Sequence, residues 1–319
     1  MRGKWRAAMR AAALLAFMML AAPALTVLAL TVLAQTVLAQ TALAQTTPTQ
    51  TTPAKAGTPA RVVSMNLCTD QLAMLLAGPD QLVSVSFLAR DPLVSSMAEE
   101  AGGWPVNYGQ AEEIFLLQPD LVITGFWSAP LTQRLLTQLG IRVERLAIAR
   151  NLEEMRANIR QMGEWLGRPQ GADALLARFE ADLELLRAGD PEPLQRPRAA
   201  IYAANGYMSG MNSLSDQLIR LAGLNNIAAE LGLQQSQVLD LERLVLASPD
   251  LVITDQKYVG WSRAEALMEH RAVRLAGRES AVRDQYWTCG TPHIIRAVAE
   301  LAAAKRRLVT ARQLAQAGR

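Results

Sequence analysis

One six-residue phrase occurs twice in this chain. Pro119-Asp-Leu-Val-Ile-Thr124 returns letter for letter as Pro249-Asp-Leu-Val-Ile-Thr254, and in each copy a glutamate stands seven residues ahead of the proline, Glu112 and Glu242. A second echo lies upstream of each: Asp70-Gln71-Leu72 with Ala77-Gly78, and Asp216-Gln217-Leu218 with Ala222-Gly223. A chain of 319 residues is too long for one ordinary hydrophobic core. The repeat therefore sets the plan, which is two related lobes. Within each copy, a Pro-Asp break followed by a short apolar run reads as a helix end feeding a buried strand.

The surrounding sequence fills in that plan. Strands are expected at residues 61–65, 82–85, 121–124 and 143–148. Helices alternate with them: one capped by Thr69 or Asp70 with Leu72, Leu75 and Leu76 on one face, then others at 111–117 and 132–139. Such alternation predicts a parallel sheet covered by helices. Residues 152–187 read as almost wholly helical, interrupted at Gly167-Arg-Pro169, and 190–197 as a Pro-rich linker. A second block then repeats the pattern, with strands at 198–203 and 251–254, helices at 216–221 and 241–247, and a closing helix from about Pro292. The expected fold is α/β: two related lobes with parallel-sheet cores joined by one long interlobe helix. The expected segments are a signal peptide (1–44), a disordered leader (45–59), an N-terminal lobe (60–150), a helical segment with linker (151–197) and a C-terminal lobe (198–319).

Residues 1–59 carry an address rather than a fold. Arg2, Lys4, Arg6 and Arg10 precede an apolar stretch that runs into three near-identical repeats, Thr31-Val-Leu-Ala-Gln35, Thr36-Val-Leu-Ala-Gln40 and Thr41-Ala-Leu-Ala-Gln45. Ala42-Leu43-Ala44 fits the small-x-small cleavage rule, which makes Gln45 the new N-terminus. A membrane anchor of about 20 residues is the competing reading. Cleavage is favoured because the stretch dissolves into Thr/Gln/Pro-rich sequence suited to a disordered leader. No cysteine lies near the site to carry a lipid, so the expectation is an exported protein released into the periplasm.

Composition excludes several function classes. The net charge is only +3, with no basic stripe for nucleic acid; 28 of the 32 basic residues are arginine, which reads as genome composition. Gly-x-Ser-x-Gly, His-Glu-x-x-His, phosphate-loop and dinucleotide fingerprints are all missing, and two histidines, His270 and His293, leave little for acid–base catalysis or for a bare metal ion. The two cysteines, Cys68 and Cys289, permit one disulfide in an oxidising compartment, but two thiols bridge only if the fold brings them together. A thiolate pair contacting an iron or cobalt chelate is the other use open to them.

In their order and spacing these motifs resemble a known family, the periplasmic-binding proteins for ferric siderophores, haem and cobalamin, in the class whose lobes are joined by a single rigid helix. The resemblance is carried by Arg61-Val-Val-Ser64 with Thr69-Asp70; by the run from Glu112 to Thr124; by the helix from about Gly171 to Arg187; by Glu242 to Thr254; and by Thr291-Pro292. It covers roughly residues 60–316. It implies a soluble monomeric receptor of an ABC importer that delivers a metal chelate, with no intrinsic cofactor, to a permease dimer in the inner membrane. It also implies that Glu112 and Glu242, with Glu113 as a neighbour able to substitute, pair with permease arginines. The alternatives are an exported scavenger or sensor without a permease and, from another class, an exported enzyme.

A receptor of this shape binds in loops leaving the carboxyl ends of its strands. Those loops supply the expected ligand-binding residues: Asn66, Cys68, Tyr108 and Trp127 in the first lobe, then Asn205, Tyr207, Tyr258, Trp261, Tyr286 and Trp287 in the second. Aromatic walls of this kind suit a large planar or amphipathic ligand. The two glutamates are expected at the helix ends away from those exits.

Overall fold

The computed structural model describes residues 57–187, 196–255 and 262–318. The first lobe holds five strands, β1 (Val62–Ser64), β2 (Leu82–Ser86), β3 (Val106–Asn107), β4 (Leu121–Gly125) and β5 (Arg142–Leu146), in the order β3-β2-β1-β4-β5, all parallel. The helices α1 (Leu67–Leu76), α2 (Ala111–Leu116) and α3 (Pro130–Gln138) connect them. Along the central strands successive side chains serve different cores: Val62, Leu121 and Ile123 join the main cluster, while Val63 and Val122 join a smaller one on the opposite face. That period-two split is what a sheet covered on both faces demands.

The second lobe repeats the arrangement with a change at one edge. Its strands are β6 (Arg198–Ala203), β7 (Tyr207–Met208), β8 (Asn225–Asn226), β9 (Gln237–Val238), β10 (Leu251–Asp255) and β11 (Arg278–Val282). β8, β6, β10 and β11 pair in parallel, as β2, β1, β4 and β5 do. On the far edge β7 and β9 add antiparallel strands, which an alternating β/α pattern did not lead us to expect. Helices α6 (Leu214–Leu221), α7 (Leu241–Ala247), α8 (Arg263–Ala266) and α9 (Arg271–Ala276) belong to this lobe.

The repeated hexapeptide has one structural use in both lobes. Asp120 accepts the backbone N–H groups of Ala60 and Arg61 at 2.7 and 3.0 Å, and Asp250 accepts that of Arg198 at 2.8 Å. The arginine at the start of each first strand donates to the carbonyls that end the helix just ahead of the hexapeptide, Arg61 to Leu117 and Gln118, Arg198 to Ala247 and Ser248. Gln118 (φ 48°) and Ser248 (φ 43°) both take the left-handed conformation just before the proline. Helix end, turn and strand start are thus tied into one knot, made twice.

Between the lobes lie α4 (Leu152–Trp165) and α5 (Pro169–Arg187), an antiparallel hairpin. Leu152, Met155, Ile159 and Met162 on one helix face Ala172, Leu176, Phe179 and Leu183 on the other at alternating three- and four-residue spacing. Arg156 braces the pair with a two-pronged bond to Glu180. A Cβ on Gly163 would come within 2.6 Å of that of Ala172, so glycine sets how closely the helices approach. The last helix, α10 (Ile294–Ala317), packs against α5, and one buried cluster runs through both sheets and these three helices. Among the described residues no helix is long and apolar enough to cross a membrane.

Two local readings need correction. The cap of α1 is Asn66, whose side chain accepts the N–H of Cys68, and not Thr69 or Asp70. Thr69 and Asp70 are wholly buried within the helix; Thr69 bonds Ser64, and Asp70 accepts from the backbone and hydroxyl of Ser86. Cys68 and Cys289 form a disulfide with their Cα atoms 5.2 Å apart, so no thiolate pair exists to bind a metal chelate. The signal-peptide region and nearly all of the linker lie outside the described residues.

Candidate functional site

Strand exits of both lobes converge on one cleft with a volume of about 740 Å³. The first lobe contributes the residues following β1, β4 and β5. Asn66 is fixed by its capping bond and by Gly125, where a Cβ would lie 2.5 Å from the Asn66 side chain. Phe126 and Trp127 follow, their rings edge-on at 5.0 Å, with the Arg145 guanidinium over Phe126. Trp127 is 80% exposed and stands as a free wall of the cleft. The segment after β5 ends at Arg150, and Asn158 on α4 reaches the same space while donating to the Ala147 carbonyl.

The second lobe contributes Tyr207 at the start of β7, the turn Asn212-Ser213 that caps α6, the run Gln234-Gln235-Ser236 between β8 and β9, and Trp287. Gly210 holds that run close: a Cβ there would fall 2.3 Å from the backbone of Gln235, and its N–H donates to Ser236 Oγ. Among the described residues the lining comprises aromatic rings, five carboxamides (Asn66, Asn158, Asn212, Gln234, Gln235), several hydroxyls and one charged side chain, Arg150. No group of three His, Cys, Asp or Glu side chains gathers there or elsewhere among those residues as a metal ligand set.

Of the residues expected to bind ligand, the structure brings Asn66, Cys68, Trp127, Tyr207 and Trp287 to the cleft. Cys68 arrives as half of the disulfide. Three others lie elsewhere. Tyr108, 65% exposed, stacks on Phe87 at 5.3 Å, outside the lining. Asn205 sits in a left-handed bend (φ 59°) that turns the chain from β6 into β7. Tyr286 is buried in the core beneath Arg283 and Arg296. Tyr258 and Trp261 lie outside the described residues. The polar run at 234–236 escaped the sequence reading because no strand was expected at β8 or β9, so the segment joining them was not followed; its signal was four polar residues, Gln234 to Gln237, between Leu233 and Val238.

Glu112 and Glu242 are exposed in the first turns of α2 and α7. Their expected position away from the strand exits is wrong. A crossover helix begins where the preceding strand ends, and the bonds show it: Glu113 accepts the N–H of Tyr108 just past β3, while Leu239, just ahead of α7, donates to Gly206 just past β6. Both glutamates therefore stand on the side from which the cleft opens, without lining it. Glu113 closes a capping box with Gln110, so its carboxylate is already engaged.

Comparison with known proteins gives a consistent set of matches. The family model described as periplasmic binding protein matches residues 62–284. A cobalamin-binding protein of Halobacterium salinarum is 29% identical over 199 residues, 61% of this chain and 54% of that protein, so the match spans about half of the relative's length. A vitamin B12-binding protein of Pectobacterium carotovorum is 26% identical over 61% of this chain and 71% of its own. Among solved structures, a periplasmic haem-binding protein from Pseudomonas aeruginosa aligns with a TM-score of 0.59 at 23% identity, covering 77% of this chain and 92% of that one. The periplasmic vitamin B12-binding protein of Vibrio cholerae aligns at 0.57 and 20%, covering 79% and 98%. At these identities the structures establish the two-lobed fold.

Proposed function

The chain belongs to the periplasmic binding protein family, whose matched members bind solutes rather than transform them, and from that premise we propose that it is the exported receptor of an ATP-binding-cassette importer for a corrinoid. The observation that carries the ligand class is the lining of the cleft. A corrinoid brings its own equatorial metal ligands, a broad ring and a rim of carboxamides. It asks for aromatic walls and amide or hydroxyl partners, not for a cluster of cations or a metal ligand set. Phe126, Trp127 and Trp287 supply the walls, and the five carboxamides supply matching donors and acceptors. Haem, with two propionates and open axial positions, and ferric siderophores, commonly anionic, are less well served by a described cleft with one arginine.

Delivery to a permease is supported by the paired glutamates. Each lobe presents an equivalent exposed carboxylate beside the mouth, so a dimeric basic partner would meet both at once with the cleft between them. The receptor acts as a monomer after cleavage at Ala44. Titration with cyanocobalamin, hemin and a ferric hydroxamate, followed by tryptophan fluorescence and visible absorption, tests the ligand. Saturable binding of the corrinoid at one per chain is expected, and binding of hemin alone would replace the reading. Glu112→Arg with Glu242→Arg should abolish uptake while leaving ligand affinity near that of the native protein; normal uptake would leave a scavenger or sensor instead.

A further inference from the structure

One cleft residue carries a full charge that no other described residue takes up. Arg150 lies between the end of β5 and the start of α4 and lines the cleft, where it is exposed. Its backbone N–H donates to Glu154 Oε2 at 2.8 Å, but its guanidinium makes no hydrogen bond or ion pair among the described residues. Arg61 and Arg198, by contrast, are engaged by helix-end carbonyls, Arg156 by Glu180 and Arg283 by Glu300.

The segment that carries Arg150 is held on both sides of it. Ahead of it, Ala149 packs on Gly290, where a Cβ would come within 2.6 Å of the Ala149 Cβ and 3.7 Å of Leu214. Behind it, Asn151 caps α4 by accepting the Glu154 N–H at 2.8 Å, and the Leu152 N–H donates to Gln217 Oε1 at 2.9 Å. The backbone at Arg150 is therefore fixed, and the side chain is what remains to choose a partner. Solvent hydrates the guanidinium while the cleft is open. A ligand that fills the cleft takes that hydration away, and covering a charge without an opposite charge is strongly unfavourable. The ligand best matched to this cleft brings one anionic group.

We propose that Arg150 is the subsite for the single phosphodiester of a complete corrinoid, so that it sets a preference for corrinoids that carry their nucleotide loop over those that lack it. This rests on the corrinoid reading above and adds to it which corrinoid is taken. The carboxamide rim of the ring is neutral, whereas the phosphodiester that joins the nucleotide loop to it carries one negative charge. A free guanidinium offers that group two parallel N–H donors for two of its oxygens. The aromatic walls and the carboxamides serve the ring whether or not the loop is present, and Arg150 serves the loop alone.

The test sets cyanocobalamin against dicyanocobinamide, which keeps the ring and its amide rim and lacks the nucleotide loop. Dissociation constants are measured by titration calorimetry for the full mature chain and its Arg150→Gln and Arg150→Lys variants. Each is taken at low salt and at about 1 M sodium chloride, where charges are screened beyond ~3 Å. The native protein is expected to bind cyanocobalamin about tenfold more tightly than dicyanocobinamide, with a margin that shrinks in high salt. Arg150→Gln should weaken cyanocobalamin about tenfold and dicyanocobinamide by less than about twofold, and Arg150→Lys, which keeps the charge without the fork, should fall between. Equal weakening of both ligands by Arg150→Gln, or none of cyanocobalamin, overturns the phosphate subsite and leaves the corrinoid reading standing. Should that variant fail to fold, the native protein decides: equal affinity for the two corrinoids, or a margin unmoved by salt, overturns the subsite. Native protein that binds neither corrinoid overturns both readings.

Discussion

At the scale of single residues, the most consequential surprise is Asp70. A carboxylate in the first turn of a helix is ordinarily a solvated cap, and the sequence pattern reads it so. The structure buries it completely against Ser86, with Asn66 taking the cap instead. Burial pushes its carboxyl up to about 6 from 3.8, and the hydrogen bonds from Ser64, Ser86 and the backbone only partly offset this; none of the groups that shift it is charged. The sign follows from linkage. As pH rises through 4 the unfolded chain gives up this proton first, so the folded state loses stability between about pH 4 and pH 6 and regains it on acidification. The loss amounts to about 3 kcal/mol. Asp70→Asn should abolish this segment of the pH profile, so urea unfolding at pH 4 and pH 7 should show the native protein losing its relative advantage over the variant at the higher pH. A difference between the two proteins that stays constant with pH would mean Asp70 is ionised in the folded state.

At the scale of elements, the duplicated hexapeptide invites a functional reading that its geometry redirects. Pro-Asp-Leu-Val-Ile-Thr recurs because each lobe must end a helix, turn through a left-handed residue and start a buried strand in register with the lobe's first strand. The aspartate serves both strands at once. Asp120→Ala should cost about 1–2 kcal/mol, measured by urea midpoint, through two orphaned backbone N–H groups. Asp250→Ala should cost at least as much, because Asp250 also pairs with Arg312 on the closing helix. Neither substitution should change ligand affinity, since both residues lie at the strand starts, opposite the cleft. These elements were legible because helix breaks and apolar runs are local signals. β3, β7, β8, β9 and β11 were not: two-residue strands carry no periodicity, and Arg278–Val282 opens on two adjacent charges and holds only one branched apolar residue, Val282.

At the scale of the whole molecule, the expected mature protein starts at Gln45 and carries no lipid, and the intact mass of exported material decides this; a mass that still includes residues 1–30 contradicts it. The sequence by itself determined the two-lobed plan, the order of most helices and strands, and membership of a binding-protein family, because an internal repeat and helix-breaking residues act over a few positions whatever lies far away. It also pointed to the strand exits, and the cleft is lined by residues that leave them. Which residues at those exits face the cleft was settled in three dimensions: Trp127 and Trp287 reach it, whereas Tyr286, one residue before Trp287, turns into the core. The pairing of Cys68 with Cys289 was likewise open in sequence and closed by the fold. Contacts between lobes join residues far apart in the chain, and no local pattern encodes a distance that arises only once both sheets pack into one shared core.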